Sequence, residues 1–204
     1  MCTAVTYRTK DHYFGRNLDY EYSFQEAVTI TPRNYCFHFR RLPPMERHSA
    51  MIGMAVVSGG YPLYFDATNE QGLSVAALNF PHSCKYMPEM EAKDNVAAFE
   101  LIPWILGDCQ NVEDAKRKLE RVNIVDLSFS KEYAATALHW IIADSTEAIT
   151  VEQTEDGLKI YPNPIGVLTN DPPFPWHMTN LRNYLQLSPE EPENRFASQL
   201  NLKP

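Results

Sequence analysis

The sequence predicts a layered α+β fold in which strands and helices come in separate blocks. Three observations predict it. Residues 2 to about 80 read as short strands, residues about 95 to 122 turn helical, and residues 136 to 170 return to strands. Blocks of this kind build layers of sheet and helix, whereas strict βαβ alternation would build a parallel sheet.

The first strand runs from Cys2 to Thr9. Lys10-Asp11-His12 turns the chain, and Tyr13 to Asp19 returns as a hairpin partner. Ala27 to Thr31 alternates and Tyr35 to Phe39 is rich in aromatics; both patterns suit strands. Met51 to Val57 is apolar enough for a buried strand. Tyr64 to Asn69 and Leu73 to Phe80 flank Asn69-Glu70-Gln71-Gly72, a hairpin turn closed by glycine. Pro43-Pro44, Gly59-Gly60 and Pro81 mark loops.

Ala97 to Cys109 predicts a buried helix, with Pro103 at a kink or a start. Asn111 precedes Val112, Ala115, Leu119 and Val122, which line one helical face. Asn111 with Asp114 reads as a capping box in which Asp replaces the usual Glu. Ala137 to Ala143, Ala148 to Gln153, Leu158 to Tyr161 and Ile165 to Thr169 are spaced as a meander. Trp176 to Leu185 predicts a helix after Asp171-Pro172-Pro173, and beyond Leu187 the chain turns polar. With no internal repeat, residues 1–204 read as a single domain.

The chain has 204 residues, 44% hydrophobic and 22% charged, with a net charge of −8. This composition excludes disordered, collagenous and coiled-coil chains. The acidic balance argues against nucleic acid as a partner, since phosphate binding needs a basic face. No apolar run approaches the roughly 18–20 residues of a membrane helix. The opening lacks the apolar stretch of about 7–15 residues of a secretory signal, so a cytoplasmic protein is expected. Cys2, Cys36, Cys84 and Cys109 show no CxxC spacing, and reduced thiols are expected. His82 and Cys84 have no second pair to complete a zinc site, so neither metal nor cofactor is expected. His139, inside an apolar strand, reads as a packed histidine.

Cys2 is the first candidate for chemistry. Removal of Met1 would place a thiol and a free α-amine on one residue. The amine titrates near 7.7–8.0 and the thiol near about 8.5 when unperturbed, so the amine can take the thiol's proton. The plain alternative is an inert second residue that begins a strand. Gly15-Arg16-Asn17-Leu18-Asp19 follows by one hairpin's length, which would return Arg16 and Asp19 to the neighbourhood of Cys2. A guanidinium beside a thiol favours the thiolate, and a carboxylate can hold the amine; a surface ion pair of little value is the alternative. Asn79 and Asn170 each end a strand, where amide groups can face a pocket as oxyanion donors or simply form turns.

Taken together, Met1-Cys2-Thr3, Gly15 to Asp19, Ala77-Leu78-Asn79-Phe80-Pro81 and Leu168-Thr169-Asn170-Asp171-Pro172 resemble the choloylglycine hydrolase family. Asn123-Ile124-Val125-Asp126 and Leu138-His139-Trp140 are similar to it as well. That family holds bile salt hydrolases and penicillin V acylases, which are N-terminal nucleophile hydrolases. The resemblance implies a four-layer αββα sandwich and hydrolysis of glycine- or taurine-conjugated bile salts through a thioester. It implies that Cys2 is the nucleophile, that Arg16 lies beside the thiol and borders the substrate, and that Asp19 positions the amino terminus. Asn79 would give a backbone N–H to oxyanion and substrate, and Asn170 would give its side-chain amide. The penicillin V acylase branch often carries Tyr at the position of Asn79, so asparagine favours bile salts. Leu18 is expected to line the substrate site beside Arg16, with Phe65 a looser candidate.

The resemblance implies well over 300 residues for a complete member and a homotetrameric assembly. The chain is therefore expected to be C-terminally truncated, without a later active-site arginine, and poorly stable and weakly active or inactive by itself. Arg195 sits in a different context and does not inherit that role. Two other readings stand beside bile salt hydrolysis: a penicillin V acylase or other N-acyl amide hydrolase using the same centre, and an inactive fragment or domain that binds an amphipathic ligand.

Overall fold

The hairpin expected at the start of the chain forms from β1 (Thr3–Arg8) and β2 (His12–Asn17), with Ala4 opposite Arg16. The computed structural model describes residues 1–190, in a unit Met1–Phe174 and a second unit that begins at Pro175. Arg195 lies outside the described residues.

β3 (Ala27–Thr31), β4 (Met51–Ser58), β5 (Tyr61–Asn69) and β6 (Ser74–Asn79) follow as antiparallel neighbours. At the expected turn between β5 and β6, Gly72 adopts φ +88° and donates its N–H to the Asn69 carbonyl at 2.9 Å. The positive φ explains the glycine.

The next stretch contains β7 (Asp94–Ala97), a 3₁₀ turn at Ala98–Glu100, α1 (Leu101–Asp108), α2 (Val112–Leu119) and β8 (Val122–Val125). β7 and β8 pair in parallel as a separate two-stranded sheet that the sequence reading did not anticipate. Strands of four residues are too short for a periodic signal beside a helix. The helix expected from Ala97 begins only at Leu101. Buried Glu100 accepts the Ala97 and Arg40 N–H groups at 3.0 and 2.7 Å and so holds the turn before it. Pro103 sits in the first turn of α1, where no intrahelical N–H is required. Asn111 caps α2 through Asp114 N–H at 2.9 Å, but Asp114 accepts from Gln110 rather than returning to Asn111.

β9 (Leu138–Ala143), β10 (Ala148–Thr154) and β11 (Gly157–Pro162) form the expected meander. β9 pairs with β6, which completes a seven-stranded sheet in the order β11-β10-β9-β6-β5-β4-β3. β12 (Val167–Leu168) was expected to extend the meander, and it does not. It pairs instead with β1, giving a three-stranded sheet β12-β1-β2. The redirection occurs at Asn163 and Gly166. Asn163 accepts Gly166 N–H at 2.9 Å and donates to Thr150 and to the Val167 carbonyl, each at 3.0 Å. Gly166 has φ +71°, and a Cβ there would lie 2.5 Å from the Thr6 carbonyl oxygen, so the chain can press against β1 only as glycine.

Tyr35 to Phe39 is not a strand. It makes one isolated bridge, Phe37 with Met45, and Phe37 is wholly buried among the rings of Tyr35, Phe39, His48 and Tyr61. The aromatic enrichment there reports ring packing, which a loop supports as well as a strand.

α1 packs on β5 and β6 and α2 on β9, while β1 and β12 pack on β6 and β9. Val75, Ala77, Trp140 and Ile142 join the core with Leu101 and Ile105. Their strand neighbours Ala76, Leu78 and Ile141 are equally buried and point to the opposite face, towards the smaller sheet. Coverage on both faces explains why β6 and β9 read as unbroken apolar runs. The described residues of the first unit thus form helix, sheet and sheet layers. The smaller sheet's other face is exposed at Tyr7 and Tyr13.

α3 (Phe174–Asn180), whose first residue closes the first unit, gives way to a 3₁₀ turn at Leu181–Tyr184, in place of one continuous helix to Leu185. Among the described residues, no helix is long and apolar enough to cross a membrane.

Candidate active site

Cys2 lies at the head of β1, the middle strand of the smaller sheet, so both neighbouring strands deliver groups to it. From β2, Arg16 donates Nη2 to the Cys2 sulfur at 3.3 Å and to the Ala77 carbonyl on β6 at 3.2 Å. From the segment after β12, Asn170 accepts the Cys2 N–H on Oδ1 at 2.7 Å and donates Nδ2 to the Asn79 carbonyl at 2.7 Å. Met1 is present, so the Cys2 nitrogen is a peptide N–H occupying the place a freed α-amine would take.

The Arg16 side chain is only 4% exposed, and its Nη1 stands 3.5 Å from Asp66 Oδ2 on β5. Burial pushes the Asp66 carboxyl above the usual range, against the opposing pull of Arg16. Arg16 Nε finds no hydrogen-bond partner among the described residues, so the guanidinium is held by Cys2, Ala77 and Asp66.

Asp19 forms an ion pair with the Met1 ammonium rather than with Cys2 directly, and that hydrogen bond raises the amine's pKa. The Met1–Cys2 peptide is clasped by Asn17, which accepts Thr3 N–H at 2.6 Å and donates to the Met1 carbonyl at 3.2 Å. Burial chiefly raises the pKa of the Tyr20 hydroxyl, which also lines the space beside this cluster. With Met1 in place, Cys2 is 2% exposed.

A cavity of about 310 Å³ opens beside this cluster, lined by Tyr20, Phe65, Phe99, Phe129, Tyr133 and Ala77, among others. Its apolar walls suit an amphipathic small molecule. Ala77 belongs to both places: its carbonyl takes Arg16 and its side faces the cavity. Phe65 is the extra residue of a β-bulge, since Met54 pairs with Asp66 and Ala55 with Tyr64. The bulge breaks strict alternation. Phe65 thereby reaches the cavity while the next residue, Asp66, reaches Arg16. Leu18 is half-buried and lies outside the lining of this cavity.

The structure thus brings Cys2, Arg16, Asn79 and Asn170 into one hydrogen-bonded cluster and places Asp19 on the amino terminus. Sequence reasoning missed Asp66, Ala77 and Asn17. Asn17 and Ala77 lay inside motifs already singled out, without a role assigned to them, whereas Asp66 carried no sequence signal.

Two stacked sheets with a residue-2 cysteine between their strand ends are the fold of the N-terminal nucleophile hydrolases. Residues 2–204 match the family model of linear amide C–N hydrolases, choloylglycine hydrolase family. The chain belongs to the choloylglycine hydrolase family. It is 46% identical to a bile salt hydrolase/transferase of Lactiplantibacillus plantarum over 99% of this chain and 62% of that protein. It superposes on a mutant conjugated bile acid hydrolase from Clostridium perfringens with a TM-score of 0.88 at 38% identity, over 98% of this chain and 62% of that one. Penicillin V acylase from Agrobacterium tumefaciens shares the fold, with a TM-score of 0.75 at 20% identity over 92% of this chain and 58% of that one. The chain spans about 62% of the length of the curated relatives it matches.

Proposed function

We propose that this chain carries the nucleophile centre of an amidohydrolase acting on glycine- or taurine-conjugated bile salts. The observation that supports the reading is the placement of Cys2 between Arg16 and Asn170, beside an apolar cavity. Loss of Met1 frees the α-amine at the nitrogen that Asn170 now holds, with Asp19 close enough to have bound the preceding ammonium. The amine takes the thiol proton as sulfur attacks the amide carbonyl. Asn170 Nδ2 and the Asn79 N–H donate to the oxyanion. Collapse of the intermediate breaks the C–N bond, and the ammonium gives its proton to the departing glycine or taurine. Water, deprotonated by the same amine, then cleaves the thioester and releases the bile acid. Arg16 holds the sulfur and borders the substrate, while the steroid lies against Phe65 and its aromatic neighbours, with Leu18, two residues from Arg16, outside that lining. A cytoplasmic location belongs to the same reading, and so does a homotetrameric assembly, which the family resemblance supports.

The test is a side-by-side assay of glycocholate, taurocholate and penicillin V, with the intact mass of the chain. Loss of Met1, turnover of the bile salts and its abolition in Cys2→Ala are the expected results. Faster turnover of penicillin V would move the assignment to an acylase. Bile-salt binding with Met1 retained and no turnover would leave a ligand-binding domain.

A further inference from the structure

Asn170 is asked to hold two partners, yet it lies outside regular structure, between β12 and α3. Its flanks therefore contribute to holding it in place. Downstream stand Pro172 and Pro173, which have no N–H and whose rings restrict the backbone. The first backbone donor after them is Phe174, and its N–H points at Glu152, 3.0 Å from Oε1 and 3.2 Å from Oε2. Glu152 is a wholly buried carboxylate on β10, a residue type almost never fully buried unless paired. Its Oε1 also meets His139 Nδ1 at 3.1 Å. His139, also wholly buried, stacks on Phe80 at 4.3 Å with the rings 9° apart, and Phe80 directly follows Asn79. A second tie joins the same two segments: Asp171 Oδ2 accepts His82 N–H at 3.2 Å. None of these groups touches Cys2, and the proposed chemistry uses none of them.

We propose that Glu152 is a positioning residue that, by holding Phe174 N–H and His139 together, sets the Asn170 side chain between Cys2 and the Asn79 carbonyl. The inference rests on the amidase reading for its kinetic consequence but not for its geometry. A stiff two-proline segment anchored at Phe174 transmits the anchor's position to Asn170 more faithfully than a flexible one.

The test compares the chain with Glu152→Gln, Glu152→Asp and Glu152→Ala. Glutamine keeps an oxygen for Phe174; aspartate keeps the charge but withdraws it by one methylene; alanine removes the acceptor. Two readouts are taken: kcat and KM for glycocholate, and amide NMR of the Phe174 N–H and the Asn170 side-chain NH₂. In Glu152→Ala and Glu152→Asp, exchange at Phe174 should quicken by about tenfold or more, and the Asn170 resonance should shift. The kcat should fall by about 10- to 100-fold, a partial loss of one oxyanion donor, with KM little changed. Glu152→Gln should preserve all of these. A protected Phe174 in Glu152→Ala, an Asn170 resonance that stays in place, or equal loss in all three variants would each overturn the proposal. If alanine fails to fold, aspartate against glutamine decides. Absence of turnover in the unmutated chain would sink the amidase reading alone, and NMR would still judge the role of Glu152.

Discussion

The Arg16 guanidinium gives a single nitrogen, Nη2, to the Cys2 sulfur at 3.3 Å, and the same nitrogen also reaches the Ala77 carbonyl at 3.2 Å. Asp66 faces the other terminal nitrogen at 3.5 Å, so the plane of the guanidinium is set from both ends. A lysine at this position offers one compact charge and cannot meet sulfur, carbonyl and carboxylate from fixed directions. Arg16→Lys should therefore lower kcat/KM by roughly 10- to 100-fold, as expected for loss of a charge-assisted hydrogen bond of about 1.5–3 kcal/mol. Steady-state kinetics on glycocholate checks this; an unchanged value would detach Arg16 from the chemistry.

Thiol labelling separates the cysteines. Burial pushes the Cys109 thiol up to about 11, so at pH 8 it is protonated as well as shielded. Cys2 is 2% exposed while Met1 covers it. Peptide mapping after iodoacetamide treatment should show Cys109 unlabelled. Cys2 should be labelled faster in protein that has lost Met1 than in protein kept unprocessed by an aminopeptidase inhibitor.

Gly53 lies opposite Ala67, and a Cβ at Gly53 would fall 2.0 Å from the Asp66 carbonyl oxygen and 2.6 Å from Ala67 Cα. Both obstacles are backbone and cannot swing aside. Gly53→Ala should cost about 1–3 kcal/mol, a fall of roughly 2–12 °C in Tm. It should also slow turnover, because the strand it displaces carries Asp66 to Arg16. Thermal melting read beside kcat tests both effects.

Glu70 anchors the loop before β4, accepting Ala50 N–H at 2.9 Å and pairing with Arg33. That pairing lowers its pKa from 4.5 to about 2. The folded chain thus binds fewer protons there than the unfolded chain between those values. The stabilisation is complete above about pH 4.5 and is lost as pH falls towards 2. Acid titration of stability should show a shallower slope in that window for Glu70→Gln, with the variant already less stable at neutral pH.

The cavity wall separates Phe65 from Leu18. Phe65→Ala removes an aromatic face from the lining and should raise KM for glycocholate by roughly 10- to 100-fold, in line with roughly 1.5–3 kcal/mol for a buried Phe contact. Leu18→Ala should raise it less, since Leu18 stands outside the lining. The reverse order would place the steroid against Leu18 instead.

Much of this organisation was legible in the sequence because strand periodicity and turn residues act locally. The hairpin, the β5–β6 turn at Gly72 and the Asn111 cap each depend on a few adjacent residues. Cys2, Arg16, Asn79 and Asn170 were visible because they sit in short motifs. Asp66 was not, because its significance arises from a bulge that no local pattern announces. Glu152 and His139 read as ordinary strand residues, since their partners lie on other elements. The misplacement of β12 has the same origin: its two residues suit a meander, and only the Asn163–Gly166 turn diverts them.

That diversion has a temporal meaning. Cys2 and Asn170 stand 168 positions apart, and their contact depends on β12 reaching β1. Translation at about 5–20 residues per second leaves the first strand waiting for its last neighbour while the intervening sheet assembles. A nascent chain therefore exposes its leading cysteine long before the asparagine that would orient it has left the ribosome. An aminopeptidase acting on Met1 during this interval would meet an open hairpin rather than a finished pocket.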